Sequence, residues 1–140
     1  QNQNLSFNIT IDSNINQWMS TTFTSDISVL NTEFQQIKFN EIIKQHHRLN
    51  AVFFLSKSQF FNINSELYTN NISQKNGSVF FMNLGYNYNL KDSKIDFYVR
   101  WQNIFDEREY VHVFNTEYAS IETGFNMRPS QLFAGLKFSF

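Results

Sequence analysis

The last stretch of the chain, Leu132 to Phe140, reads LFAGLKFSF and decides the fold class. In an extended strand, successive side chains point to opposite faces. Alternate residues from Leu132 to Phe140 therefore form one wholly apolar face, and the residues between them form a mixed face. Chain termini are usually polar and mobile, so an apolar stripe that ends on an aromatic residue is unusual for a soluble chain. A transmembrane β-barrel needs such a strand as its last one.

Six earlier segments also alternate with a period of two, and each predicts a strand. They are Leu5–Asp12, Trp18–Val29, Arg48–Leu55, Phe60–Thr69, Ser78–Leu90 and Ile95–Gln102. With the last strand, the count is about seven. We therefore predict an all-β fold, a transmembrane antiparallel up-and-down β-barrel to which this chain contributes about seven C-terminal strands.

The connections between these strands alternate in length. Ser13–Gln17, Ser56–Gln59 and Lys91–Lys94 are short, whereas Asn31–His47, Asn70–Gly77 and Asn103–Pro129 are long. The pattern of Asn31–His47 fits neither period well, and we interpret it as strand extensions around a long loop. Outer-membrane barrels have short periplasmic turns and longer extracellular loops. The alternation predicts a multi-pass protein of the bacterial outer membrane with its C-terminus in the periplasm.

Composition excludes several other classes of protein. The chain has 17 Phe but only 4 Gly, 1 Pro and no Cys, so it has neither a disulfide framework nor a thiolate metal site. A net charge of −1 without a basic run lacks the electrostatic footprint of a nucleic-acid-binding protein. A mean hydropathy of −0.40 is compatible with a barrel, because barrel strands need only about 9–11 residues of alternating character.

The end of the chain carries a more specific pattern. Asn103–Asp106 reads NIFD, Tyr110 follows, and Arg128-Pro129 precedes the last strand. This succession resembles the C-terminal end of TonB-dependent outer-membrane receptors, in which an N-L-F-D/N segment and an R-P segment precede a final strand that ends on an aromatic residue. Ile104 stands where Leu is usual, and Ser130 where a second Arg is common. Residues 1–90 share only the barrel pattern.

The resemblance implies a barrel of about 22 strands with an N-terminal plug, driven by TonB and importing a siderophore, glycan, peptide or vitamin. Since seven is odd and bacterial single-chain barrels have even counts, residues 1–140 are expected to be the C-terminal part of one barrel domain. The implied partners are outer-membrane lipid, the plug and N-terminal strands of the same receptor, TonB and, in receptors of the carboxypeptidase-regulatory-like type, a surface lipoprotein. The resemblance also implies a barrel-insertion signal at Leu136, Phe138 and Phe140.

Candidate site residues follow from the predicted faces. The candidates for contact with a plug or substrate are the charged residues on predicted lumen faces, Glu66, Asp96, Arg100 and Lys137, which would serve equally as inward charges in a hydrated interior. The candidates for interfacial anchoring are Trp18, Tyr86, Tyr88 and Trp101.

Catalytic and metal sites are not predicted. Adjacent residues in a strand point to opposite faces, so His46 and His47 would not bind one metal ion as a pair. We interpret them instead as part of a solvated loop. Asp106, Glu107 and Glu109 have no companion nucleophile, and we interpret them as a charged extracellular rim. We expect no enzyme activity and no cofactor.

Two alternatives to a transport receptor remain open. The long connections at 31–47 and 106–128 would suit a barrel that serves as a scaffold in a larger outer-membrane assembly, because partners dock on loops. A self-contained barrel of eight strands would also fit the length of the chain.

Overall fold

The computed structural model describes residues 2–34, 37–38, 41–71, 77–90, 95–115 and 120–138, and in this part of the chain it contains only strands and their connections. The strands are β1 (Asn2–Asn16), β2 (Met19–Phe34), β3 (Ile37–Lys38), β4 (Ile42–Ser56), β5 (Gln59–Asn70), β6 (Ser78–Leu90), β7 (Ile95–Gln102), β8 (Glu109–Asn115), β9 (Ser120–Asn126) and β10 (Gln131–Phe138). Within the described ranges, none of the elements is a helix long and apolar enough to cross a membrane. The all-β prediction is confirmed.

Seven strands form one antiparallel sheet in the order β1-β2-β4-β5-β6-β7-β10, and the two-residue β3 pairs with the end of β2. The predicted count of seven strands is confirmed. Strands β8 and β9 form a separate hairpin, so the chain leaves the sheet after β7 and returns with β10 beside it. The sheet is open, with β1 and β10 at its two edges.

The strands are longer than the sequence pattern predicts. The predicted turn Ser13–Gln17 is wrong, since β1 continues to Asn16 and the turn is Gln17–Trp18. Ile15 extends the alternation of β1, and a register shift between Asn14 and Asn16 absorbs the irregularity before the turn. The strand extensions predicted within 31–47 are confirmed, because β2 runs to Phe34 and β4 begins at Ile42.

The predicted long connection between Asn103 and Pro129 contains the β8–β9 hairpin. Its seven registered pairs run from Glu109↔Asn126 to Asn115↔Ser120. Tyr110, His112 and Phe114 alternate with valines in the sequence, so neither face is clearly polar and the period-two signal is weak. Backbone pairing therefore forms a hairpin that the sequence pattern does not predict.

The register of the sheet sorts side chains into two faces. One row of directly paired residues runs from Ser13 through Thr21, Ala51, Ile63, Leu84 and Trp101 to Leu132. Because paired residues point to the same side, the apolar residues of all seven strands share this face, which we call the apolar face. The opposite side, the polar face, is lined mainly by Asn, Ser, Thr and charged residues, with a few aromatic and aliphatic side chains among them.

In the described part of the chain, no residues cover the apolar face. Among the described residues only Ala51, Val79 and Ser25 are buried, while Phe7 is 56% and Leu132 is 70% exposed. Half exposure of a Leu or Phe side chain gives up on the order of 1 kcal/mol relative to full burial. The lost burial of a dozen such side chains would offset much of the free energy of unfolding of a typical domain, which is roughly 5–15 kcal/mol. The sheet therefore requires an apolar environment on this side.

Two glycines let side chains lie flat on the polar face. Gly135 pairs with Tyr98 across β10 and β7, and a Cβ at Gly135 would overlap the Tyr98 ring. A Cβ at Gly85 would likewise overlap the side chain of Asn62. An aromatic ring laid over a strand glycine replaces the missing side chain and pins the register of the two strands. Tyr98 thus locks β10 against β7.

We predict that Gly135→Ala destabilises the fold by about 1–3 kcal/mol, because the new methyl group displaces the Tyr98 ring. Urea unfolding monitored by tryptophan fluorescence measures this change. Gly124→Ala is the matched control, since a Cβ there meets nothing within 4 Å, and it should change stability by less than about 0.5 kcal/mol. Equal effects at the two glycines would contradict the proposed contact.

Candidate functional site

A hydrogen-bonded cluster lies on the polar face toward the long connections. The Glu66 carboxylate accepts from the Tyr68 hydroxyl at 2.8 Å and lies 3.1 Å from Nε2 of His46. The rings of His46 and Tyr68 stack with centroids 3.9 Å apart, and Phe81 approaches Tyr68 edge-on at 6.3 Å. Strands β4, β5 and β6 each contribute to this cluster, so register alone assembles it. Glu66 is consequently held in one orientation.

A second charged group neighbours this cluster. The Arg48 guanidinium donates to Asp26 at 3.1 Å, and the Asn8 side-chain amide donates to the other oxygen of the same carboxylate. Arg48 and Asp26 are both more than a third exposed, so their ion pair contributes little to stability. Its effect is to place the polar Asn8 and the charged Asp26 and Arg48 in a line across β1, β2 and β4.

The NIFD segment forms a turn that is hydrogen-bonded to the segment before β10. We call this hydrogen-bonded group the clasp, and it consists of Asn103, Asp106, Arg108, Arg128 and Ser130. Asn103 has a positive φ of 49°, a conformation that Asn tolerates better than most residues. Its side-chain amide donates to the carbonyl oxygens of Glu107 and Arg128, both at 2.8 Å, and its Oδ1 accepts from the Glu107 N–H at 3.0 Å. One side chain therefore joins the end of β7 to the segment before β10.

Asp106 makes the second half of the clasp. Its carboxylate accepts from the Ser130 N–H at 2.7 Å and from two nitrogens of Arg108, at 2.9 and 2.7 Å. The indole N–H of Trp101 donates to the Ser130 hydroxyl at 2.9 Å. The hydrogen bond from Ser130, followed by that from Arg108, holds the pKa of Asp106 below its ordinary value of 3.8. Asp106 is therefore charged at neutral pH, and the NIFD and RPS segments act together.

The clasp also connects to the sheet and to the hairpin. The backbone N–H of Asn103 donates to Oδ1 of Asn83 at 2.9 Å, and that of Ile104 donates to the Met82 carbonyl at 3.0 Å. The Met127 N–H donates to the Arg108 carbonyl at 2.9 Å, which closes the base of the β8–β9 hairpin. The clasp thus fixes where the hairpin leaves the polar face.

An open cavity of about 600 Å³ lies between the polar face and residues 126–129 at the hairpin base. It is lined by Glu66, Tyr68, Phe81, Asn83, Gln102, Asn103, Asn126, Met127, Arg128 and Pro129. Its size is within the range of about 300–1,000 Å³ typical of ligand sites. The cavity is therefore a candidate site on the described part of the chain.

The four predicted lumen residues all lie on the polar face, but they do not form one site. Glu66 lines the cavity. Asp96 and Lys137 pair directly across β7 and β10 near the short turns, and the Arg100 guanidinium lies 5.3 Å from the centre of the Tyr98 ring. Asp96 and Lys137 therefore lie toward the other end of the sheet, whereas Arg100 is two residues from Gln102, which lines the cavity.

The predicted interfacial aromatics lie toward both ends of the sheet. Trp18 is in the β1–β2 turn and stacks on Phe53 at 6.2 Å, and Tyr86 and Tyr88 are on the apolar face toward the short turns. Trp101 lies at the opposite end of β7, beside the clasp. Of the predicted insertion signal, Leu136 and Phe138 are exposed on the apolar face of β10, and Phe140 lies outside the described residues.

The two histidines point to opposite faces, but they lie within β4 rather than in a solvated loop, so that interpretation is wrong. On the apolar face, Nδ1 of His47 is 2.9 Å from the Ser25 hydroxyl and Nε2 is 3.2 Å from Oε1 of Gln45. In the described ranges, no three His, Asp or Glu side chains gather in a way that could hold a metal ion.

Sequence reasoning missed most of the cavity residues. Tyr68, Asn83, Gln102 and Arg128 come from four parts of the chain, and only the register of the strands and the clasp bring them together. The NIFD and R-P patterns located the clasp itself. Comparisons with protein-family models, with curated proteins and with solved structures each found no match to this chain.

We predict that Asn103→Ala destabilises the clasp by about 2–3 kcal/mol, because it removes three hydrogen bonds and places Ala at a positive φ. Asn103→Gly removes the same bonds without the backbone strain and should cost less, whereas Asn103→Asp keeps only the Oδ1 acceptor. The hydrogen-exchange rate of the Glu107 backbone amide measures the effect of each of the three variants. An unchanged exchange rate in all three variants would contradict the assigned contacts.

We predict that acid loosens the clasp. Because the pKa of Asp106 is lowered in the folded state, its contribution is complete above the ordinary value of 3.8 and is lost as pH falls through the lower folded value. Exchange at the Ser130 amide should therefore accelerate below about pH 4, beyond the intrinsic pH effect. Asp106→Asn should exchange faster at neutral pH and lose this acid-dependent step, and the same acid profile in variant and parent would refute the assignment.

Proposed function

We propose that this chain is the C-terminal part of a transmembrane β-barrel in the bacterial outer membrane. Its apolar face contacts lipid and its polar face lines a hydrated interior. The observation that carries the proposal is the uncovered apolar face across all seven strands of the sheet. Lipid satisfies the requirement for an apolar environment without a second protein layer.

The course of the apolar residues across the sheet supports this proposal. Ser13 in β1 and Leu132 in β10 lie in the same row across the sheet. The apolar run Leu5–Ile11 is centred five residues before this row. The apolar run Leu132–Phe138 is centred three residues after it. This shift of eight residues is about 27 Å along the strands, over six strand spacings of about 29 Å in total. If the band lies parallel to the membrane plane, the strands tilt by about 43°, within the 35–45° of outer-membrane barrels.

The connections define the orientation. The short turns lie at one end of the sheet with the C-terminal end of β10, and the long connections lie at the other end with the start of β1. Short turns are periplasmic in outer-membrane barrels. The hairpin, the clasp and the cavity are therefore on the extracellular side, and the last strand ends in the periplasm.

The directions of the edge strands support a larger barrel. β1 and β10 run parallel, because six antiparallel steps separate them. A wholly antiparallel barrel needs an odd number of further strands between these edges, and the remainder of a longer receptor would supply them. The eight-stranded alternative needs one.

Import of a nutrient by a TonB-dependent receptor is the function that the whole pattern supports best. The clasp gives a structural reason for the NIFD and R-P segments, which carry the resemblance to these receptors. The charged side chains on the polar face suit an interior that holds a plug and a substrate. The plug, the earlier strands, TonB and a surface lipoprotein belong to this proposal as partners.

A scaffold in an outer-membrane assembly is the second candidate. The hairpin exposes Ile121 and Phe125 at 49% and 51%, and its base exposes Met127. Exposed apolar side chains on a projecting hairpin are a common docking feature. Affinity purification of the full-length protein separates the candidates: a stoichiometric partner with unchanged nutrient uptake in a deletion strain favours the scaffold, and loss of TonB-dependent uptake favours the receptor.

We predict that Leu136→Arg destabilises the barrel by about 2–4 kcal/mol, because Leu136 lies next to the middle of the apolar run of β10. Lys137→Gln, one residue away on the polar face, is the matched control and should have little effect. The amount of folded, heat-modifiable full-length protein in the outer membrane measures both. Equal tolerance of the two changes would refute the lipid-facing assignment.

A further inference from the structure

We infer that the cavity at the hairpin base binds a neutral, hydroxyl-rich ligand, a short oligosaccharide. The inference rests on the proposed function, since a hydrated barrel interior must give substrate access to the cavity. It selects one of the substrate classes that an import receptor would carry.

The lining combines amides with aromatic rings. Asn83, Gln102 and Asn126 supply amide groups that donate and accept hydrogen bonds, as sugar hydroxyl groups do. Tyr68 and Phe81 supply aromatic surface, on which the C–H face of a sugar ring packs. A mainly apolar ligand would leave these amides without partners, at a cost of about 1–3 kcal/mol for each buried group.

The charges of the lining balance. Glu66 is its only carboxylate and Arg128 its only guanidinium among the described residues that form it. A ligand with several negative charges, such as a phosphate ester or a catecholate chelate, is held by clusters of cations. One arginine opposed by one carboxylate does not provide such a cluster, so the balance favours an uncharged ligand.

The β5 strand, which contributes Glu66 and Tyr68 to the cavity, offers no edge to a peptide. Extended peptides commonly bind by adding a strand to an exposed sheet edge. β5 is paired with β4 and with β6 along its length, so the part of the cavity formed by Glu66 and Tyr68 lies in the sheet interior. Recognition there must come from side chains, which suits a sugar better than a peptide backbone.

The side chains of the cavity are held in place by their neighbours. Oε2 of Glu66 is fixed by His46 and Tyr68, and Oδ1 of Asn83 accepts from the Asn103 backbone. The Arg128 carbonyl is held by the Asn103 amide. Groups positioned in advance lose little conformational freedom on binding, which raises affinity.

The test uses the purified full-length protein in detergent on an array of neutral oligosaccharides of glucose, mannose, galactose, xylose and fructose. The same array carries acidic oligosaccharides and short peptides. We expect binding to neutral oligosaccharides. For the best one, Phe81→Ala should raise Kd about tenfold or more, the equivalent of about 1.4 kcal/mol. Asn89→Ala, on the polar face outside the cavity lining, should change Kd less than about twofold.

Gln102→Ala is a second variant that removes one amide while keeping the aromatic surface, and it should weaken binding without reducing the heat-modifiable fraction. Binding of peptides or acidic sugars alone would overturn the ligand class. No binding by a protein that is still heat-modifiable would overturn the cavity as a ligand site and leave the proposed barrel standing. Failure of the parent protein to form a heat-modifiable barrel would overturn the barrel and this inference together.

Discussion

The structure depends on one constraint, the register between neighbouring strands. Because side chains alternate along a strand, a shift of one residue would exchange the apolar and polar faces of that strand. The register aligns Ser13, Ala51, Leu84 and Leu132 in a single row across the sheet. With so few buried residues, stability comes from this pairing and from whatever covers the apolar face. The same register gathers Glu66, His46 and Tyr68 on the polar face.

The last strand is held at two places in different ways. Near its middle, the Tyr98 ring over Gly135 sets the alignment of β10 on β7. Before its first residue, Asp106 holds the Ser130 N–H, and Trp101 donates to the Ser130 hydroxyl. Bringing β10 back beside β7 after the hairpin costs closure entropy, which grows slowly with the length of the connection. The clasp reduces that cost by tying the return point directly to the end of β7.

The sequence allowed the sheet to be predicted but not the cavity. Strict alternation in segments such as Ser78–Leu90 identifies a strand and its two faces without further information. Alternation does not specify which residues of distant strands lie side by side. The sequence therefore could not predict that Asn83 and Arg128 line the same cavity. The β8–β9 hairpin was missed for a related reason, since valines alternate with aromatic residues and blur the period. NIFD was recognisable only through its resemblance to a receptor segment, and the structure adds that it forms a turn in which Asn103 has a positive φ.

The clasp and the cavity are physically linked, because they share residues. Asn103 lines the cavity with its neighbours and also holds the Arg128 carbonyl, so the turn that ends β7 also positions the hairpin base over the polar face. A change that opened the clasp would move residues 126–129 away from Glu66 and Tyr68 and would enlarge the cavity. The residues that resemble the receptor pattern therefore have a local structural role, independent of any conserved contact with a partner. In this chain, the geometry of the strand end and the shape of the site are set by the same few hydrogen bonds.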